Sequence, residues 1–169
     1  AGYETGSAGD TDIWVRKYAP DGSPIWTRTH DGPGGGDDSA LRIATDAAGS
    51  AYVVGSETSS AGDTDLWIRK YDSTGGTSWT KSLDAAGDDD GGLGAAVDPD
   101  GNLLMSGFAI DALGLPEAWI HKYDAGGGTI WSQARLPLST LDLAYGIASD
   151  STANVLIAGT TIDLLTGAA

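Results

Sequence analysis

Residues 7–18 read SAGDTDIWVRKY and residues 60–71 read SAGDTDLWIRKY, so the two segments differ only by two exchanges between aliphatic residues. A third, more diverged copy, ALGLPEAWIHKY, occupies residues 112–123. The copies begin 53 and 52 residues apart. Self-similarity at a fixed period of this length is the signature of a repeat architecture, in which each copy forms one supersecondary unit. The chain is therefore predicted to consist of three repeats of about 52 residues.

The rest of each unit keeps the same period. All six tryptophans lie in two columns of the repeat, and we expect the first column to be buried, because tryptophan columns in repeats usually pack between layers. The columns are Trp14, Trp67 and Trp119; Trp26, Trp79 and Trp131; Asp38, Asp90 and Asp142; Asp46, Asp98 and Asp150; and Gly2, Gly55, Gly107 and Gly159. The chain is interpreted as a single repeat domain over residues 1–169, with units of about 2–54, 55–106 and 107–159 and a tail at 160–169.

Each unit is predicted to form four short antiparallel strands. In the middle of the chain, turn-forming Asp, Gly, Ser and Thr residues separate strands at 41–45, 51–56, 65–71 and 77–83. No window shows the period of an amphipathic helix. The third strand carries large side chains on both faces, which is typical of a sheet packed between two other sheets. These features predict an all-β fold.

The pattern D-hydrophobic-W-hydrophobic-x-K-Y, followed by a glycine turn, a second Trp, and later a small-hydrophobic strand ending in Gly, resembles the SBBP-type β-propeller repeat of bacterial secreted proteins. The resemblance covers Gly2 to Gly159, nearly the whole chain. It implies that each repeat is a propeller blade. It also implies an extracellular or cell-surface protein in which the blades act as scaffold or interaction module, and it supplies no catalytic residues.

Three blades are too few to close the usual ring of four to eight. The repeat leaves an orphan pair of strands at 12–30 and another at 143–161, each half a blade. We expect either a homo-oligomer whose chains join these halves into composite blades, or completion by further blades of a longer chain. The alternative fold is a β-trefoil, which has three units of four strands and closes as a monomer.

Composition excludes several classes of function. The formal net charge of −15 argues against nucleic acid as a partner, since phosphates require a basic surface. No long apolar run is present, which predicts no membrane span. Cysteine is absent, so the chain has neither a disulfide framework nor a thiolate site.

Nothing in the sequence nominates an active site, and we predict that the chain is not an enzyme. It has no Gly-x-Ser-x-Gly or HExxH motif, and its column aspartates precede turns, where they accept backbone N–H groups. His121 replaces Arg16 and Arg69 in its column and is predicted to be a surface cation. The alternatives are a carbohydrate-binding module with exposed Trp or Tyr, which would bind a glycan, and an acid–base hydrolase using loop carboxylates.

Two sets of loop residues are candidate sites. Acidic loops predicted to meet at one end of a blade offer a Ca²⁺ site, the only cofactor expected, although the same residues could simply cap turns; they are Asp37, Asp38, Asp63 and Asp65. Apolar residues in two loops of the third unit form either an interaction surface for a protein or glycan ligand or a lid over the core; they are Ile110, Leu113, Leu115, Leu136 and Leu138.

The repeat also places a lysine on the apolar side of the third strand in every copy. These residues are Lys17, Lys70 and Lys122. A partly buried ammonium group needs a partner. We therefore expect each lysine to pair with a column aspartate and to hold the blades in register.

Overall fold

Thirteen β-strands and no helix form the regular structure of the described residues, which are 1–84, 89–110, 114–134 and 140–163 of a computed structural model. The strands are β1 (Gly2–Thr5), β2 (Thr11–Tyr18), β3 (Pro24–His30), β4 (Ser39–Thr45), β5 (Ala51–Thr58), β6 (Thr64–Tyr71), β7 (Thr77–Leu83), β8 (Gly91–Val97), β9 (Leu103–Ile110), β10 (Pro116–Tyr123), β11 (Thr129–Ala134), β12 (Thr140–Ser149) and β13 (Val155–Asp163). The prediction of an all-β fold is confirmed.

The strands form four antiparallel sheets in which chain neighbours pair. Sheet I is β1-β2-β3, sheet II is β4-β5-β6-β7, sheet III is β8-β9-β10-β11 and sheet IV is β12-β13. The four strands expected in the middle of the chain are β4 to β7, each within two residues of its predicted bounds. No described strand closes a sheet into a barrel, which is the feature that a β-trefoil requires.

The sequence repeat is also a repeat of strand register. The same glycine column lies opposite the first tryptophan column in three sheets, as Gly2↔Trp14, Gly55↔Trp67 and Gly107↔Trp119. A Cβ on Gly55 would lie 1.9 Å from the carbonyl oxygen of Ser39, and one on Gly107 would lie 2.0 Å from that of Gly91. The glycine column therefore lets the first strand of each complete sheet approach the second closely.

Two apolar layers, one on each face of sheet II, form the largest part of the core of the described residues. The layer shared with sheet I contains Ile13, Val15, Trp26, Ala40, Val53, Trp67 and Tyr71. The layer shared with sheet III contains Tyr52, Val54, Leu66, Ile68, Leu103, Met105 and Tyr123. Burial of the first tryptophan column is confirmed for Trp67, which is fully buried, whereas Trp14 and Trp119 are half-buried.

A buried aspartate is hydrogen-bonded at the loop end of the first two junctions, that is, the contacts of sheet I with sheet II and of sheet II with sheet III. Asp38, fully buried, accepts hydrogen bonds from the backbone N–H groups of Gly32 and Thr58. Its own N–H donates to the carbonyl of Thr11 in sheet I at 2.6 Å. One repeat later, Asp90 accepts the N–H of Ile110 at 3.0 Å. These column aspartates therefore link each sheet to the first strand of the next sheet through backbone hydrogen bonds.

The Asp38→Ala variant tests this role. We expect its free energy of unfolding, measured by urea titration, to fall by about 2–4 kcal/mol, because two backbone N–H groups lose their acceptor in a site closed to water. Asp37→Ala is the matched control, since Asp37 is exposed and its loss should cost less than about 1 kcal/mol. Equal losses in the two variants would contradict the assignment.

Candidate functional site

Two clusters of three carboxylates occupy equivalent positions of the repeat. The first consists of Asp10, Asp12 and Asp31, and the second of Asp63, Asp65 and Asp84. In each cluster the three carboxylate oxygens lie within 4.8 Å of one another. Every member of the second cluster follows its counterpart by 53 residues, so the repeat builds the same acidic site twice.

Water is largely excluded from part of each cluster. Desolvation raises the pKa of Asp12, and the nearby charges of Asp31, Asp10 and Glu4 raise it further. Desolvation and the charges of Asp63, Asp84 and Glu57 likewise raise the pKa of Asp65 against a hydrogen bond from Ser82. One carboxylate oxygen in each of Asp10, Asp12 and Asp65 is closed to solvent and accepts no hydrogen bond from the described residues. In each cluster several carboxylate charges therefore lie close together in a partly dehydrated site.

The structure separates the four aspartates predicted as calcium ligands into two groups. Asp63 and Asp65 belong to the second cluster. Asp37 instead accepts the backbone N–H of Thr11 at 2.9 Å, and Asp38 is bound to the backbone as described above. Sequence reasoning missed Asp84 as the third member, although Asp31 and Asp84 form a repeat column of their own.

The third unit lacks this acidic arrangement. The positions equivalent to Asp63, Asp65 and Asp84 are Leu115, Glu117 and Leu136. Of the predicted apolar interaction surface, only Ile110 and Leu115 are among the described residues, and both are half-buried. Leu113, Leu136 and Leu138 lie outside the described residues, so that surface remains a prediction.

His30 bridges sheets I and II. Its Nε2 lies 2.5 Å from a carboxylate oxygen of Glu57, and its Nδ1 lies 3.2 Å from a guanidinium nitrogen of Arg69. Since an arginine side chain can only donate hydrogen bonds, Nδ1 accepts one from Arg69, and the Nε2–H group donates one to Glu57. Burial alone would raise the pKa of Glu57, but hydrogen bonds from His30 and Ser82 lower it below its usual range. Both ring nitrogens of His30 therefore take part in the contact between sheets I and II.

The prediction for His121 is wrong, because the ring is neutral rather than a surface cation. Desolvation lowers the pKa of His121 to about 4. Its ring stacks on Tyr123 with centroids 5.6 Å apart and meets the edge of Trp119 at 5.1 Å. Its Nε2 is closed to solvent and has no hydrogen-bond partner within the described part of the chain. Aromatic neighbours thus exclude the water that would stabilise an imidazolium.

The expected pairing of column lysines is confirmed in the two complete sheets. Lys70 Nζ lies 3.5 Å from a carboxylate oxygen of Asp46, and Lys122 Nζ lies 2.7 Å from one of Asp98. Lys17 makes the corresponding contacts to backbone carbonyls, of Gly49 at 3.4 Å and Ser73 at 3.2 Å. No described carboxylate pairs with it.

The fold and these sites define an all-β repeat protein of face-packed antiparallel sheets that carries acidic clusters at two equivalent positions. No family model matches the sequence, and no curated protein matches it. Within the described parts of the chain, no helix is long and apolar enough to cross a membrane.

The pKa of His121 predicts how stability depends on pH. Between about pH 6.5 and pH 4 the unfolded chain binds a proton at His121 that the folded chain does not, so stability falls as pH falls through this window. The His121→Gln variant binds no proton at this position in either state. We expect the wild type to lose about 1–2 kcal/mol more than this variant between pH 7 and pH 4.5 in urea titrations, after allowance for partial exposure. Parallel pH profiles would refute the assignment.

Proposed function

We propose that this chain is a non-enzymatic scaffold and interaction module, built of β-propeller-type blades, from a bacterial secreted or cell-envelope protein. In this proposal sheets II and III are complete blades, and sheets I and IV are incomplete ones. The main support is the identical junction between successive sheets. The indole N–H of Trp26 donates to the carbonyl of Ser73 at 3.3 Å, and that of Trp79 donates to the equivalent Ala125 at 3.2 Å.

The chemistry of the polar residues also favours a scaffold. His30 has no ring nitrogen left to take a proton from a nucleophile, because Glu57 and Arg69 occupy both. The salt bridges of Lys70 and Lys122 likewise bind their ammonium groups to structural aspartates. Polar groups arranged in this way stabilise the sheets and their contacts, and they are not free to act on a substrate.

The carbohydrate-binding alternative has weaker support. Aromatic side chains that bind sugars must present a ring face to solvent, but Trp67 is fully buried and Trp26 is 8% exposed. Both rings pack between sheets I and II. The repeat tryptophans of this junction therefore serve packing.

The absence of catalysis can be tested directly. We expect no hydrolysis above the buffer rate when the protein is incubated with a panel of nitrophenyl glycosides and nitrophenyl esters. Glu57→Gln should change only stability, because Glu57 serves the junction. Turnover by the wild type that disappears in a folded Glu57→Gln variant would overturn the scaffold proposal.

A specific observation favours a second role, the binding of Ca²⁺. We propose that Asp63, Asp65 and Asp84 hold one calcium ion and that Asp10, Asp12 and Asp31 hold another. The donor set fits, because Ca²⁺ prefers several carboxylate oxygens, and some of these oxygens are buried with no hydrogen-bond donor among the residues that the structure describes. Bound calcium would neutralise the repulsion among the three carboxylates and fix the loop before β6 to the end of β7.

Calcium should therefore raise the melting temperature. With an affinity of about 10⁻⁴–10⁻³ M, 10 mM CaCl₂ should stabilise the fold by about 1.4–2.7 kcal/mol for each site. Asp65→Asn should remove about half of this gain, while Asp37→Asn, which changes the same charge outside the clusters, should keep it. The calcium proposal fails if both variants respond like the wild type, because the effect would then be ionic screening.

A further inference from the structure

The first junction contains a polar contact between sheets I and II. The Nε2 atom of His30, at the end of β3, lies 2.5 Å from a carboxylate oxygen of Glu57, and its Nδ1 atom lies 3.2 Å from a guanidinium nitrogen of Arg69. The imidazole also stacks on the indole of Trp67, with ring centroids 5.1 Å apart and 17° between the ring planes. Glu57 and Trp67 are buried. Sheet II therefore has a buried polar site that His30 of sheet I occupies.

All three members of this polar set are replaced together at the second junction. The counterparts one repeat later, which have the same strand register, are Leu83 for His30, Ala109 for Glu57 and His121 for Arg69. Leu83 packs against the apolar layer shared by sheets II and III. His121 is neutral at pH 7, because desolvation lowers its pKa to about 4. The second junction is thus uncharged where the first carries an ion pair and an imidazole.

The two sets of residues do not match each other. If a leucine met sheet II in place of His30, the carboxylate of Glu57 would lose its N–H donor and the guanidinium group of Arg69 would lose its acceptor. If His30 met sheet III, it would find the methyl group of Ala109 in the position of its acceptor. A buried polar group that loses one partner destabilises a contact, whereas exchanging the whole set for apolar groups is close to neutral.

The other contacts of the junctions do not distinguish one sheet from another. Strands β2 and β6 differ by two aliphatic exchanges. Both junctions use the same indole hydrogen bond, from Trp26 to the carbonyl of Ser73 and from Trp79 to that of Ala125. Proteins built of similar repeats are prone to misassembly, in which units pack in the wrong order or exchange between chains. Sheets with such similar contacts need a further feature that defines their order.

We propose that His30, Glu57 and Arg69 form a recognition site that selects sheet I as the partner of this face of sheet II. The site accepts a sheet whose outer strand ends in a histidine that stacks on Trp67. It disfavours the packing of sheet I on sheet III, and that of the Leu83 face of another copy on sheet II. Buried polar groups give specificity in this way, because a wrong partner leaves them unpaired. This role goes beyond the scaffold function, since it concerns how the order of the sheets is encoded.

Urea titration of the full chain tests whether the three residues act as a set. His30→Leu, which introduces the residue of the second junction, should lower the urea midpoint by about 1 M, because Glu57 and Arg69 lose their partner. The triple variant His30→Leu/Glu57→Ala/Arg69→His copies the second junction completely and should recover at least half of that loss. A triple variant that is no more stable than His30→Leu would overturn the inference, because the three residues would then act separately.

Refolding separates recognition from stability. Wild type that is unfolded in urea and diluted to about 50 μM should return to the species present before unfolding, as measured by light scattering. The triple variant has two junctions of one kind, so we expect at least about a third of it to refold into larger species in which sheets are exchanged between chains. This fraction should fall when the variant refolds at about 1 μM, because exchange between chains requires their encounter.

The repeat supplies a matched control for refolding. Glu4→Ala/Arg16→His makes the same exchanges at the counterparts of Glu57 and Arg69 in sheet I. Arg16 lies on the face of β2 opposite to Val15, which packs on sheet II. The control should therefore refold like the wild type. A triple variant that also refolds like the wild type would overturn the recognition role. Neither measurement involves calcium or turnover, so this failure would leave the scaffold function standing.

Discussion

Burial of both faces of a sheet is the constraint on which the structure depends. A strand such as β6 has Leu66, Trp67 and Ile68 in succession, and all three are fully buried, which is possible only with a neighbouring sheet on each side. The hydrogen bonds of Asp38 follow from the same need, because they join sheets I and II, whereas the close approach at Gly55 brings together two strands of sheet II. A single repeat of this kind cannot bury its apolar surface alone.

This constraint explains how the polar residues are used. A junction between two apolar faces leaves a small number of charged groups partly out of water, and these must be paired. Lys70 with Asp46 and Lys122 with Asp98 satisfy this need in the same place of successive sheets. His30, Glu57 and Arg69 form a further polar group at the first junction. The acidic clusters differ, since like charges lie together there and some of their oxygens have no donor.

Much of the fold was predictable, because the repeat encodes strands, turns and burial at fixed positions. The tryptophan column correctly indicated the burial of Trp67, and the lysine column correctly indicated an aspartate partner for Lys70 and Lys122. The candidate site was harder to predict from the sequence, because the spacing of residues in a loop does not show which side chains converge. Asp38 and Asp63 look alike in sequence, yet one binds backbone N–H groups and the other joins a cluster. His121 was misread because its burial depends on the rings of Trp119 and Tyr123.

The most direct test of two-face burial compares β6 with its repeat β2, whose sequences differ by two aliphatic exchanges. Their local propensities are therefore almost equal, and only the neighbours differ: β6 lies in a complete sheet between two others, while β2 lies in an incomplete outer sheet. Amide hydrogen exchange measures the stability of each strand. We expect the amides of β6 to exchange at least tenfold more slowly than those of β2, and equal rates in the two strands would contradict the dependence of the fold on burial of both faces.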